Sequence, residues 1–184
     1  MITTIHRNIM KKGFMTWAAI GCMMTAAVFT ACNKEDKPEE PKKDTVPAKM
    51  SLTFTYMNTQ DILDYCDVVV EYNDGTGAKT ETVTSTNWTK TLTADLPVTF
   101  TFNRRVTLKT DKDITKAAKI TYSTGYSYEY EILNAAGEPL GISDSNHFTN
   151  SSSASGEKMV KLINEKKLDQ INTFRVDKDG NKLK

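Results

Sequence analysis

Three cysteines, two histidines and a row of tyrosines are the side chains best suited to chemistry in this 184-residue chain. Cys22 and Cys32 lie near the start and Cys66 lies in DILDYCDVVVEY. A cysteine nucleophile wants a histidine partner, and beyond residue 31 the chain has only His147. Cys66 therefore reads as a small buried apolar residue. One histidine does not make a zinc site of the usual kind. GxSxG, HExxH and a glycine-rich phosphate loop are all missing from the sequence, so nothing in it calls for a metal or cofactor. Asp177-Lys178-Asp179-Gly180 lacks the twelve-residue spacing and closing Glu of an EF-hand and reads as a turn. Of the 23 acids, five stand between Cys32 and Lys49, leaving 18 further on. Paired carboxylates for glycoside hydrolysis thus stay open, though no motif marks them.

The segment around Cys32 is more specific. Arg7, Lys11 and Lys12 give a basic start, and Gly13–Ala31 is a run of 19 residues without charge. A basic region, an apolar region and small residues at the end make a secretory signal peptide over residues 1–31. Met10-Lys11-Lys12 is itself a good opening, so the start lies at Met1 or Met10. Phe29-Thr30-Ala31-Cys32 resembles a bacterial lipobox, with Phe29 where Leu is usual. The resemblance implies that the Cys32 thiol is alkylated with diacylglycerol and the chain is cut just before it. Cutting at Cys22 instead would leave the apolar MMTAAVFTA on the mature protein. Two or three acyl chains make a stable anchor, at ~0.8 kcal/mol per buried methylene.

Asn33 to Lys49 holds three prolines, five lysines and five acids, with almost nothing to bury. Such a segment cannot offset its ordering entropy, so residues 32–49 read as the acylated cysteine and a disordered tether. Asn33-Lys34-Glu35-Asp36 resembles the signal that lipoproteins of the Bacteroidota carry after the acylated cysteine. In that group, Lys34, Glu35 and Asp36 would imply export to the outer face of the outer membrane, with the periplasmic face as the alternative. Asp44-Thr45-Val46 resembles the Asp-Ser/Thr-aliphatic site of O-glycan attachment in those bacteria, which makes Thr45 a candidate acceptor. DVVVEYNDGTGAKTETVTSTNWTK is also similar to small surface lipoproteins of that group, a likeness that brings no activity with it.

Residues 50–184 must supply the folded domain. Leu52, Phe54 and Tyr56 alternate with Thr53 and Thr55, the pattern of a half-buried strand. Asp67–Tyr72 and KTETVTST flank an Asn-Asp-Gly turn and predict a hairpin. WTKTLTA and VTFTFNRRVTLK continue the series, and Arg104 interrupts the apolar parity of the latter, which suggests a bulge near Asn103. Arg104 and Arg105 read as surface charge or a cross-strand ion pair. Lys119–Leu133 reads as one strand, kinked at Gly125, with Tyr126, Tyr128 and Tyr130 on one face and Glu129 and Glu131 opposite. Ser143–Gly156 reads as a polar loop. Met159, Leu162 and Ile163 form a helical stripe behind Ser155 as N-cap, and Ile171–Asp177 closes as a strand. About seven strands with regular turns and one short helix in the C-terminal half predict an all-β, immunoglobulin-like sandwich, with a small barrel as the alternative.

Within that frame the tyrosines have two readings. Trp88, Tyr126, Tyr128 and Tyr130 form a platform that stacks on sugar rings, or they line the inner face with hydroxyls at the rim. The wet Glu129/Glu131 face favours the lining. After residue 31 the chain has 21 Lys+Arg, three of the 24 lying earlier, against 23 acids, a net charge of −2. A chain so near neutrality has no nucleic-acid surface. The expected function is a non-enzymatic binding or scaffold module, tethered to the outer membrane and touching glycan or a membrane-protein partner. An envelope structural or assembly accessory, with an open edge strand and self-association, is the alternative; a hydrolase comes third.

Overall fold

A computed structural model describes residues 44–74 and 76–184. The first strand, β1 (Lys49–Met57), shows strict alternation: Met50, Leu52, Phe54 and Tyr56 are buried while Ser51, Thr53 and Thr55 face outward. It is followed by a short helix α1 (Gln60–Tyr65), β2 (Cys66–Asn73), β3 (Ala78–Thr82), β4 (Asn87–Asp95) and β5 (Val98–Leu108). A single 3-10 turn at Ile114–Lys116 leads to β6 (Ile120–Ser123), β7 (Tyr126–Leu133), β8 (Pro139–Phe148) and β9 (Ser151–Ala154). The chain ends with helix α2 (Gly156–Asn164), β10 (Gln170–Val176) and β11 (Lys182–Leu183).

These strands form an antiparallel four-stranded sheet, β4-β1-β7-β8, and a five-stranded sheet, β11-β10-β5-β2-β3, with a β6-β9 ribbon beside them. The two large sheets close on aromatic side chains. Phe54 of β1 stacks on Phe102 of β5 with ring centroids 4.4 Å apart, and the Tyr56 hydroxyl donates to the Phe102 carbonyl at 2.9 Å. The chain crosses between sheets from β1 to β2, from β3 to β4 and from β4 to β5. With β1 paired to β4 and β2 to β5, this is the B-C-E-F connectivity of an immunoglobulin-like sandwich. Strand β10 takes the G position beside β5, and β7 occupies the place of A beside β1.

Several expectations change in the fold. The strand expected over Lys119–Leu133 is two strands in different sheets, broken at Thr124-Gly125. Gly125 passes so close to its neighbours that a Cβ there would sit 3.0 Å from the Phe148 carbonyl and 3.1 Å from the Met57 sulfur. The expected loop Ser143–Gly156 contains the end of β8 and all of β9. These strands bury almost none of their side chains, Ala154 apart, so their sequence need not alternate, and a polar run gives no periodic signal. Helix α2 begins at the expected place and buries Met159 and Ile163, but the Ser155 side chain makes no capping bond. Gly156 is where the helix meets the 3-10 turn: a Cβ would fall 1.7 Å from the Ile114 carbonyl oxygen.

Arg104 corrects the largest misreading. β5 runs in continuous register against both β2 and β10, with no bulge near Asn103. Arg104 keeps the parity of Phe100 and Phe102 and is 1% exposed. Arg105 points the other way and pairs with Glu71 at 3.2 Å, as one of the sequence alternatives held.

Candidate functional site

The expected signal peptide over residues 1–31 and the residues Cys32, Lys34, Glu35 and Asp36 lie outside the described residues. Thr45 is exposed. Asp44 beside it accepts the Val46 amide through its carboxylate at 3.0 Å, and its carbonyl accepts from the Asn134 side chain at 3.0 Å. Ala48 donates to the Leu133 carbonyl at 2.9 Å and accepts from the Leu96 amide at 2.8 Å. The last residues assigned to the tether, 44–49, are thus hydrogen-bonded to the sandwich, and the ordered domain begins before Met50.

The aromatic platform is not on the surface. Trp88 is 7% exposed and Tyr130 5%. Trp88 packs against Tyr56, Tyr72 and Phe102. Half-buried Tyr126 stacks on Phe54 at 6.0 Å, and half-buried Tyr128 meets Phe174 edge-on at 4.8 Å. The reason is parity: β7 pairs with β1 so that Tyr126, Tyr128 and Tyr130 fall opposite Tyr56, Phe54 and Leu52, on the face that the second sheet covers. These four residues build the core, with their polar tips at its rim.

Two of those tips, the Trp88 N–H and the Tyr128 hydroxyl, enter two similar latches, one at each lateral rim. At the β3–β4 rim the Glu81 carboxylate accepts from the Tyr72 hydroxyl at 2.5 Å, the Trp88 indole N–H at 3.0 Å and Lys90 Nζ at 2.5 Å. Hydrogen bonds from Lys90, then Tyr72, hold the Glu81 carboxyl below its usual range. At the β8–β11 rim the Asp144 carboxylate accepts from Lys182 at 2.7 Å and from the Tyr128 hydroxyl at 3.0 Å. Its carboxyl is likewise held low, chiefly by Lys182. Each latch ties one sheet to the other. This is an alternative use for conspicuous tyrosines that the sequence does not distinguish from ligand binding.

Sequence reasoning also missed the polar centre of the core. Arg104 Nη1 donates to the Met57 carbonyl at 3.3 Å and Asn58 Oδ1 at 3.2 Å; Nη2 donates to the carbonyls of Ser123 at 3.2 Å and Leu168 at 2.9 Å. The guanidinium also lies 5.5 Å from the Tyr56 ring centre. Among the described residues no carboxylate bonds to it. Burial pushes its pKa down to about 10 and that of Tyr56 up to about 12. Arg104 therefore remains charged at neutral pH, and four carbonyl dipoles from three chain segments carry its charge.

Several concavities mark the surface. A groove of about 660 Å³ runs between the outer face of β5 and the end of α2, lined by Asn103, Arg105, Thr107, Ile163, Lys166 and Ile171. Ile171 is 71% exposed there. A trough of about 390 Å³ crosses the outer face of the four-stranded sheet, lined by Thr53, Thr55, Ser127, Glu129, Ser145 and His147 among others. Glu129 and Asp144 line a smaller hollow of about 300 Å³, but strand parity puts their side chains on opposite faces, and Asp144 is held by its latch. Among the described residues no group of three His, Cys, Asp or Glu is placed to hold a metal ion. No described helix is long and apolar enough to cross a membrane.

The last feature is an edge. Strand β4 is nine residues long and, among the described residues, pairs only with β1. The Leu96 amide bonds to Ala48 and the Asn58 amide to Thr86, so even-numbered residues of β4 bond to β1. The amides and carbonyls of Thr89, Thr91 and Thr93 point away from the sheet. No protein-family model matches this chain, nor does any curated protein or solved structure.

Proposed function

We propose that this protein is a non-enzymatic lipoprotein, held at the outer membrane by acylated Cys32, whose sandwich is a binding or scaffold module facing the cell exterior. The observation that carries the reading is the border at Cys32, where an uncharged segment ending in Thr30-Ala31 meets a thiol and then a charged spacer. Lys34, Glu35 and Asp36 then supply the surface address, and exposed Thr45 the candidate O-glycan acceptor. With the aromatic row turned inward, a glycan would meet hydroxyls instead of ring faces, and the trough at Thr53, Thr55 and Ser127 suits that contact. A second reading, an envelope assembly accessory, is favoured by the open edge of β4.

The test is protease treatment of intact cells bearing the full chain or its Cys32→Ala variant. The expected result is loss of the full chain from intact cells and failure of the variant to reach the surface. If the full chain is protected until cells are lysed, the domain faces the periplasm and the surface role of Lys34, Glu35 and Asp36 is wrong.

A further inference from the structure

We propose that β4 is a self-pairing edge. Two copies of the chain join β4 to β4 antiparallel about a two-fold axis at Thr91, turning two four-stranded sheets into one of eight strands. The idea deepens the assembly-accessory reading and rests on it for the role of the pair. Its test reads association and not location, so the two fail separately.

An edge strand is a template for another strand unless something guards it, such as shortness, a bulge, a proline or an outward charge. The other lateral edges are guarded. β11 has two residues and β3 five, with Lys79 and Glu81 among them. β8 carries a register shift opposite Glu131/Leu133 and a left-handed Gly141 at φ 73°. β4 has no proline and stays in unbroken register over its nine residues. Its lysine, Lys90, is turned inward onto Glu81 at 2.5 Å and does not guard the edge.

The occupant follows from the residues that the edge presents. The outward backbone groups belong to odd-numbered residues, so a two-fold pair must match odd with odd. Centred at Thr91, the match sets Thr91 against Thr91, Thr89 against Thr93 and Asn87 against Asp95, where an amide meets a carboxylate. It also sets Lys90 against Leu92. Moving the axis to residue 90 would oppose the two lysines, and moving it to residue 92 would leave Asn87 without its Asp95 partner. The threonine pairs repeat a contact that β4 already makes on its other side, where Thr91 meets Thr53 at 2.9 Å and Thr89 meets Thr55 at 2.8 Å. One copy's edge is therefore complementary to another's in backbone, side-chain size and charge.

The test is disulfide trapping of the full-length chain in membranes. At the axis, hydrogen-bonded partners lie about 5.5 Å apart at Cα, inside the disulfide range. Thr91→Cys should give a covalent dimer under mild oxidant, whereas Thr53→Cys and the unsubstituted chain should not. Sedimentation of the detergent-solubilised full chain gives the second readout. Thr91→Pro removes an amide that β1 does not use, and Thr89→Lys with Thr93→Lys sets like charges opposite each other. Both should weaken the dimer by more than about tenfold. The proposal is overturned if the unsubstituted chain sediments as a monomer at about 100 µM, far above the Kd of a specific interface. It is equally overturned if Thr91→Cys fails to cross-link, if Thr53→Cys cross-links as well, or if the double-lysine variant associates like the parent. A strand of a different protein as the natural occupant would appear as the monomeric outcome.

Discussion

Arg104 offers the sharpest test of how this core is held. Replacing it with Met removes four hydrogen bonds, to Met57, Asn58, Ser123 and Leu168, while filling similar space. Buried acceptors left without donors cost about 1 kcal/mol each, so the loss is about 4 kcal/mol. Against it stands relief of charge burial. Burial pushes the guanidinium from 12.5 to about 10, which corresponds to about 3 kcal/mol against the charged form. The net cost of Arg104→Met should therefore be small, about 1 kcal/mol. Arg104→Ala loses the same bonds and also leaves a cavity where the stem packed, adding about 2 kcal/mol. Arg104→Lys keeps the buried charge, has at most three donors for four acceptors and loses the planar stacking on Tyr56, so it should cost about 2 kcal/mol or more. The expected order of stability is thus Arg, Met, then Lys and Ala. Urea unfolding followed by the fluorescence of buried Trp88 measures it. If Lys proves as stable as the parent, or if Ala lies within about 0.5 kcal/mol of it, the four carbonyl contacts do not hold the core and the reasoning fails.

Glu81→Gln should weaken the latch at the β3–β4 rim by about 1 kcal/mol, a modest figure because the carboxylate is more than one-third exposed and water screens it. Its folded pKa lies below the unfolded one, so the stabilisation is present above the unfolded value, near 4.3, and is lost as pH falls through the folded pKa. Urea midpoints of parent and variant should therefore differ at pH 7 and converge toward pH 3. Gly156→Ala should cost more than about 2 kcal/mol, because its Cβ would occupy the Ile114 carbonyl; a melting temperature within about 1 °C of the parent contradicts the close approach. Cys66 is buried and its thiol is pushed up to about 11 by burial, so a thiol reagent at pH 8 should label it only after unfolding. Rapid labelling of the native protein would show that β2 opens at its start.

Much of this domain was legible in residue types and spacing, and what was not legible has one cause. Leu52, Phe54 and Tyr56 alternate with threonines, and such a pattern buries one face in any β context, so β1 and the sandwich class followed from it. The β2–β3 hairpin followed from Asn73-Asp74, and α2 from the stripe Met159, Leu162, Ile163. Strand β9 did not, because Ser151-Ser152-Ser153 carries no apolar alternation to mark a buried face; its pairing with β6 depends on a partner distant in sequence. The side to which Tyr126, Tyr128 and Tyr130 turn was likewise undetermined, since alternation says only that two faces differ. Pairing with β1 and cover from β10 decided that they face the core. Arg104 is the limiting case. Its type argues for the surface, and local reasoning made it a break in β5. Only the fold brings Met57, Asn58, Ser123 and Leu168 around it, and a buried guanidinium is tolerable only where such dipoles converge. The sequence by itself determined where strands run and which positions alternate. The tertiary structure decided which face is inside and which polar groups are satisfied there, because both depend on partners that local pattern does not specify.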